Sequence, residues 1–148
     1  MTDTKTVLTT TQWLKSAAVV CIAIGLAMAM APFTFLAPAL SFFVDLAHLP
    51  LDGAQQIDTD TEALLSAISG GLLCGLGAAV WLIADHLYAR DPTLARRMIT
   101  LTLLAWFIPD SLGSLAAGAW FNVVMNSGFL ALFLVPILMS RTSQEAAA

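Results

Sequence analysis

Between Met98 and Trp120 the chain carries one charge, Asp110, directly after a proline in the stretch WFIPDSLG (106–113). A carboxylate inside an apolar run marks a turn in a water-soluble domain. In a bilayer it lies at depth, turned inward and paired. Groups suited to pair with it stand nearby. Ser111 and Ser114 follow on the same run, and Asn122 and Asn126, four apart and so on one helix face, come just after a short uncharged turn. With Ser66 and Ser69 from an earlier run they make a candidate polar cluster of Asp110, Ser111, Ser114, Asn122, Asn126, Ser66 and Ser69. Such a cluster can lock a helix hairpin through hydrogen bonds, or it can hold a ligand or a proton. Asn126 is the expected partner of Asp110.

Other chemistry is thinly represented. Asp45 and His48 stand at i, i+3, but two ligands do not make a metal site, so the pair reads as the polar outer-surface face of a helix. Cys21 and Cys74 each lie alone in an apolar run with no Cys-x-x-Cys, which argues against thiol–disulfide chemistry and for packing as small hydrophobes. His48 and His86 fall toward opposite ends of the fold and cannot ligate one haem. Zinc-ligand spacing, a glycine-rich phosphate loop and a G-x-S-x-G elbow are missing from the sequence. No catalytic, metal-binding or cofactor-binding residue is therefore assigned, and no cofactor is expected.

The elements that must position the cluster follow from composition. Of 148 residues 59% are hydrophobic and 11% charged, against about 25% charged in ordinary globular domains. Lipid must therefore solvate much of the surface. The net charge of −4 gives no basis for binding nucleic acid. A spanning helix needs about 20 mostly apolar residues, and four runs qualify: 16–36, 63–84, 98–118 and 121–139. The predicted fold is all-α, an integral membrane four-helix bundle spanning 16–139. A segment 1–15 precedes it and a tail 140–148 follows.

The first run has some grammar of a signal peptide, with Lys5 and Lys15 before it and Ala29-Met30-Ala31 near its end. Its apolar character continues past Pro32, so it is read as a retained helix. All six basic residues then fall on one side of the membrane: Lys5, Lys15, Arg90, Arg96, Arg97 and Arg141. The loop on the other side holds Asp45, Asp52, Asp58, Asp60 and Glu62 and no basic residue. Basic residues stay cytoplasmic, which places both termini inside. Trp13, Trp81 and Tyr88 then fall toward the inner interface, with Trp120 toward the outer one.

Local signals agree. Thr59-Asp60-Thr61-Glu62 reads as a capping box and Asp91-Pro92 as an N-cap with proline at the first helical position. Within the outer loop, 37–62, an amphipathic helix is expected. Thr34, Pro38, Ser41, Asp45 and His48 mark its polar face, and Leu36, Leu40, Phe43, Val44 and Ala47 the apolar one. The second run carries adjacent small-residue rows, including Gly70, Gly71, Cys74, Gly75 and Ala78, with Gly71 and Gly75 forming a GxxxG. Small residues let helices approach closely, within the bundle or against another subunit. Asp110 lies about 20 Å beyond Arg97 at about 1.5 Å per residue, in the outer half of a hydrocarbon layer about 30 Å thick.

The stretches SAISGGLLCGLGAAVWLIA, RDPTLARRMI and WFIPDSLGSLAAGAWFNVVMNSGFL together resemble a group of small bacterial inner-membrane proteins with four predicted helices and no assigned activity. The likeness covers 63–138 and implies a fold and a compartment, not a reaction. Three roles are compatible with these readings. The first is a non-enzymatic accessory or assembly subunit of a membrane complex, or a homo-oligomer, with the lipid bilayer around it and protein subunits as candidate partners through the second span. The second is a small transporter, channel or ligand-binding protein using the Asp110 cluster, its small-molecule ligand unknown. The third is a membrane enzyme with Asp110 as acid–base.

Overall fold

The computed structural model describes residues 4–145, with side chains described from 7 to 140. The fold is all-helical. Helix α1 (Thr4–Met30) leads through one 3-10 turn (Ala31–Phe33) to the short α2 (Ala37–His48); α3 (Asp60–His86), α4 (Pro92–Ala116) and α5 (Trp120–Glu145) follow. Four stretches are long and apolar enough to cross a membrane: Val7–Phe33, Asp60–His86, Pro92–Ala116 and Trp120–Ser140. The protein is thus a small multi-pass membrane bundle.

The caps explain the boundaries. The Thr59 hydroxyl accepts from Glu62 N (3.2 Å), and the Glu62 carboxylate accepts from Thr59 N (2.9 Å), so two orphan donors at the start of α3 are met reciprocally. Asp91 caps α4 by accepting from Leu94 N at 2.9 Å, with Pro92 at the first helical position. Gly118 adopts φ 81° in the turn between α4 and α5, where a Cβ would be strained, and the two helices close as a hairpin. The first helix begins at Thr4, well before the expected 16, because its early turns already bury Val7, Thr10 and Leu14 against the bundle. Likewise α5 runs past 139 to Glu145, since no breaker intervenes.

The helices are not packed evenly along their length. The apolar core gathers the early part of α1 (Leu14, Ala17, Ala18, Cys21), the late part of α3 (Val80, Ala84), Tyr88, the early part of α4 (Ala95, Ile99, Leu103) and the late part of α5 (Phe133, Ile137). All of this lies in the half that carries the chain termini. Tyr88 departs from its expected place at the interface: it is fully buried, its hydroxyl 2.8 Å from Ser140 Oγ and accepting from Arg96 Nε at 3.3 Å. Partners on two helices let the phenol be buried at no loss of hydrogen bonding. Lys15 pairs with Asp85 at 2.7 Å and lies over the Trp81 ring, 4.4 Å from its centroid, tying α1 to α3 at this same end.

Along α1 and α3 the backbones nearly touch. A Cβ on Gly25 would stand 2.6 Å from Gly70 O, and one on Gly77 would stand 2.9 Å from Ala18 O; a Cβ on Gly70 would collide with Gly25 O and with Ala29. The close approach permits side-chain to backbone bonds across the pair. Ser66 Oγ donates to Met28 O (2.8 Å), Cys21 Sγ to Leu73 O (3.3 Å) and Cys74 Sγ to Ile22 O (3.4 Å). The two thiols act as donors between helices as well as small hydrophobes. Only one of the small-residue rows serves this contact. A Cβ on Gly71 or Gly75 would meet nothing within 4 Å, and Ala78 is exposed. Within this chain these three are not packing positions; one row of a helix can face one neighbour, and the other row points away from it.

Candidate functional site: a cavity beneath the short helix

In the half away from the termini the bundle opens. α1 stays on α3 and α5 stays on α4, but the large core residues lie in the other half, and a cavity of about 1010 Å³ separates the pairs. Its walls are Ile24, Ala27 and Met28 on α1, Ser69, Leu72, Leu73 and Leu76 on α3, Ala105 and Trp106 on α4, and Met125 and Phe129 on α5. Ala39, Leu40 and Phe43 of α2 close over it. The polar part of the wall is Asp110 with Asn122 and Asn126, together with Ser69 on α3, and Asp110 is the one ionisable residue in the lining.

Asp110 is held by geometry from two helices. Its Oδ1 accepts three hydrogen bonds: from Asn126 Nδ2 at 2.9 Å, from Asn122 Nδ2 at 3.2 Å and from Ser114 Oγ at 3.2 Å. Asn122 Nδ2 also lies 2.8 Å from Ser114 Oγ. The spacing produces this directly. Asp110 and Ser114 are one turn apart on α4, Asn122 and Asn126 one turn apart on α5, and the Gly118 turn sets the two faces opposite each other. The other carboxylate oxygen, Oδ2, has no hydrogen bond among the described residues and is not fully buried. Directly before Asp110, Pro109 supplies no N–H to the carbonyl of Ala105, which lines the cavity.

The remaining residues of the expected cluster go elsewhere. Ser66 is spent on the α1–α3 contact described above. Ser69 lines the cavity on the far wall from Asp110. Ser111 is buried but turned away from the carboxylate, and its hydroxyl makes no hydrogen bond among the described residues. One residue along a helix is about 100° around it, so Ser111 cannot share the Asp110 face.

The Asp45–His48 face is corrected by the structure. Asp45 is 5% exposed, not solvated: Oδ2 accepts from Gly53 N (3.1 Å) and Oδ1 from Gln55 N (3.5 Å). Ser41, one turn earlier, accepts from Ile57 N at 3.2 Å, and the His48 ring lies 2.9 Å from the Val44 carbonyl. The long loop folds back along this face because its unpaired backbone donors need acceptors. Asp45 and Ser41 therefore fasten the loop to α2 and hold α2 in place as a roof. Among the described residues no three His, Cys, Asp or Glu side chains gather to hold a metal ion.

The aromatic wall was not foreseen from sequence. Trp106 and Phe129 pack edge to face, 5.6 Å between centroids, and Phe129 continues to Phe133 at 5.4 Å. The signal was available: Trp106 is one turn before Asp110 and Phe129 lies three residues after Asn126, so both share the faces that carry the polar groups. Set against known protein families, characterised proteins and solved structures, the chain matches none. The site is therefore read from its own geometry.

Proposed function

We propose that this protein binds a small amphipathic molecule in the cavity beneath α2, with no chemical step of its own. It lies in a bacterial inner membrane with both termini in the cytoplasm. The observation that carries the reading is the cavity of about 1010 Å³ whose apolar wall is interrupted by one convergent polar group, Asp110 with Asn122 and Asn126. Ligand pockets are typically about 300–1,000 Å³, mostly apolar, with a few polar groups that fix orientation. Purely structural polar glue asks for hydrogen bonds between helices but not for the adjoining space. The orientation rests on the gathering of all six basic residues toward one end, and the compartment on the resemblance noted above.

A second reading has one observation in its favour. Gly71, Gly75 and exposed Ala78 form a small-residue strip on α3, and a Cβ at either glycine would meet none of the described residues within 4 Å; such a strip suits close approach by a helix of a partner subunit. Purification in mild detergent, followed by mass spectrometry of bound small molecules and proteins, separates the two. Cavity binding expects an organic molecule that is retained by the wild-type chain and lost from Ser69→Phe, which fills the cavity. A stoichiometric protein partner, with identical small-molecule content in both chains, would establish the subunit reading in its place.

A further inference from the structure

We infer that the molecule the cavity takes is a lipophilic monocation, recognised by Asp110 at one end and by the aromatic wall along its length. The inference rests on the ligand-binding reading and adds the charge class. Three facts point to it. Asp110 is the one ionisable residue in the lining, and among the described residues it has no ion pair. Its charge as a carboxylate is met by three neutral donors only, all on Oδ1, while Oδ2 remains accessible. Dipoles spread a buried charge but do not cancel it, and a charge at membrane depth calls for a counter-charge. Apart from Ser69, Asn122 and Asn126 the rest of the lining is hydrocarbon and aromatic, with Trp106 and Phe129 set edge to face on the same wall. Aromatic faces attract cations, most strongly where water is excluded.

Other ligand charges fit less well. An anion would meet the carboxylate with no cation to offset it. A neutral hydrocarbon that displaced water from the cavity would leave Oδ2 without a donor, which costs more than leaving it wet. A delocalised or alkylated cation meets both the carboxylate and the apolar wall and loses little hydration on entering.

The test uses three aromatic probes on the full chain in a neutral detergent: tetraphenylphosphonium, its isosteric anion tetraphenylborate, and the uncharged N-phenyl-1-naphthylamine. Binding is read as the saturable rise in thermal midpoint. Tetraphenylphosphonium is expected to bind at least about tenfold more tightly than tetraphenylborate. Asp110→Asn is expected to weaken it at least about tenfold more than it weakens the naphthylamine. If the uncharged probe binds and the two ions do not differ, or the anion binds more tightly, the cavity takes small molecules but the charge class is wrong. If none of the three stabilises the protein, the ligand-binding reading falls with it. Should Asp110→Asn fail to fold, the comparison of the two opposite ions on the wild-type chain decides alone.

Discussion

At the scale of single residues, Asp110 has two duties that substitution can separate. It accepts from Ser114, Asn122 and Asn126, and it lines the cavity. Hydrogen bonds between membrane helices average about 0.6 kcal/mol each, so the two from Asn122 and Asn126 plus the cost of orphaned carboxamides place Asp110→Leu at about 1–3 kcal/mol of lost stability. Asp110→Asn keeps the shape and one carbonyl acceptor, and is expected to lose less than half as much. Reversible unfolding in mixed micelles measures both; an Asp110→Leu chain as stable as wild type would show that the cluster contributes no net stability. The pairing with Asn126 was legible in the sequence because both residues are out of place in apolar runs that a tight turn makes antiparallel. The role of Asp45 was not. Which backbone donors a loop brings to a carboxylate depends on how the loop folds back, and spacing within α2 carries no information about residues 53 to 57.

At the scale of the element, α3 shows what periodicity can and cannot decide. Its two small-residue rows are equivalent in sequence, yet one is pressed against α1 and the other is uncovered. The choice depends on where Gly25 and Ala29 of α1 fall, a matter of helix rotation that no single helix encodes. The rows therefore respond differently to the same small change. Gly70→Ala puts a methyl group into the Gly25 and Ala29 backbone and is expected to destabilise by about 1–3 kcal/mol through overpacking. Gly75→Ala meets nothing and is expected to be neutral or to gain up to about 1 kcal/mol from helix propensity. Thermal or denaturant unfolding of the two variants side by side tests this; the reverse order would mean that α1 and α3 meet by the other face. The helix boundaries were similarly half legible. Caps at Thr59 and Asp91 announced two starts, whereas the ends of α1 and α5 toward the termini carry no breaker and extend as far as packing supports them.

At the scale of the whole molecule, the four-helix bundle was legible because length and hydropathy alone define spans. The uneven packing was not, because it depends on where large residues from four separate helices happen to meet. Topology offers a direct check. Cysteines placed at Gln55 and at Thr93, in a chain carrying Cys21→Ala and Cys74→Ala, are expected to label oppositely with an impermeant maleimide on intact cells, Gln55→Cys from outside and Thr93→Cys only after permeabilisation. Equal labelling would overturn the arrangement with both termini inside. Because each replaced thiol donates to a carbonyl of the facing helix, the background chain is expected to be slightly less stable than wild type, which the same preparation can measure.

Side-chain bonds between the two sides of the bundle include Trp13 Nε1 to Leu132 O at 3.1 Å, and just after α3 the Tyr88 hydroxyl lies beside Ser140. Both lie toward the termini. At the other end α2, which follows α1, packs against α5. The two helix pairs are thus joined at both ends, like the covers of a book held by a spine and a clasp, with the cavity between them. A change at the clasp, such as loss of the Asp45 ties to the loop, is expected to alter the cavity while leaving the packing toward the termini in place.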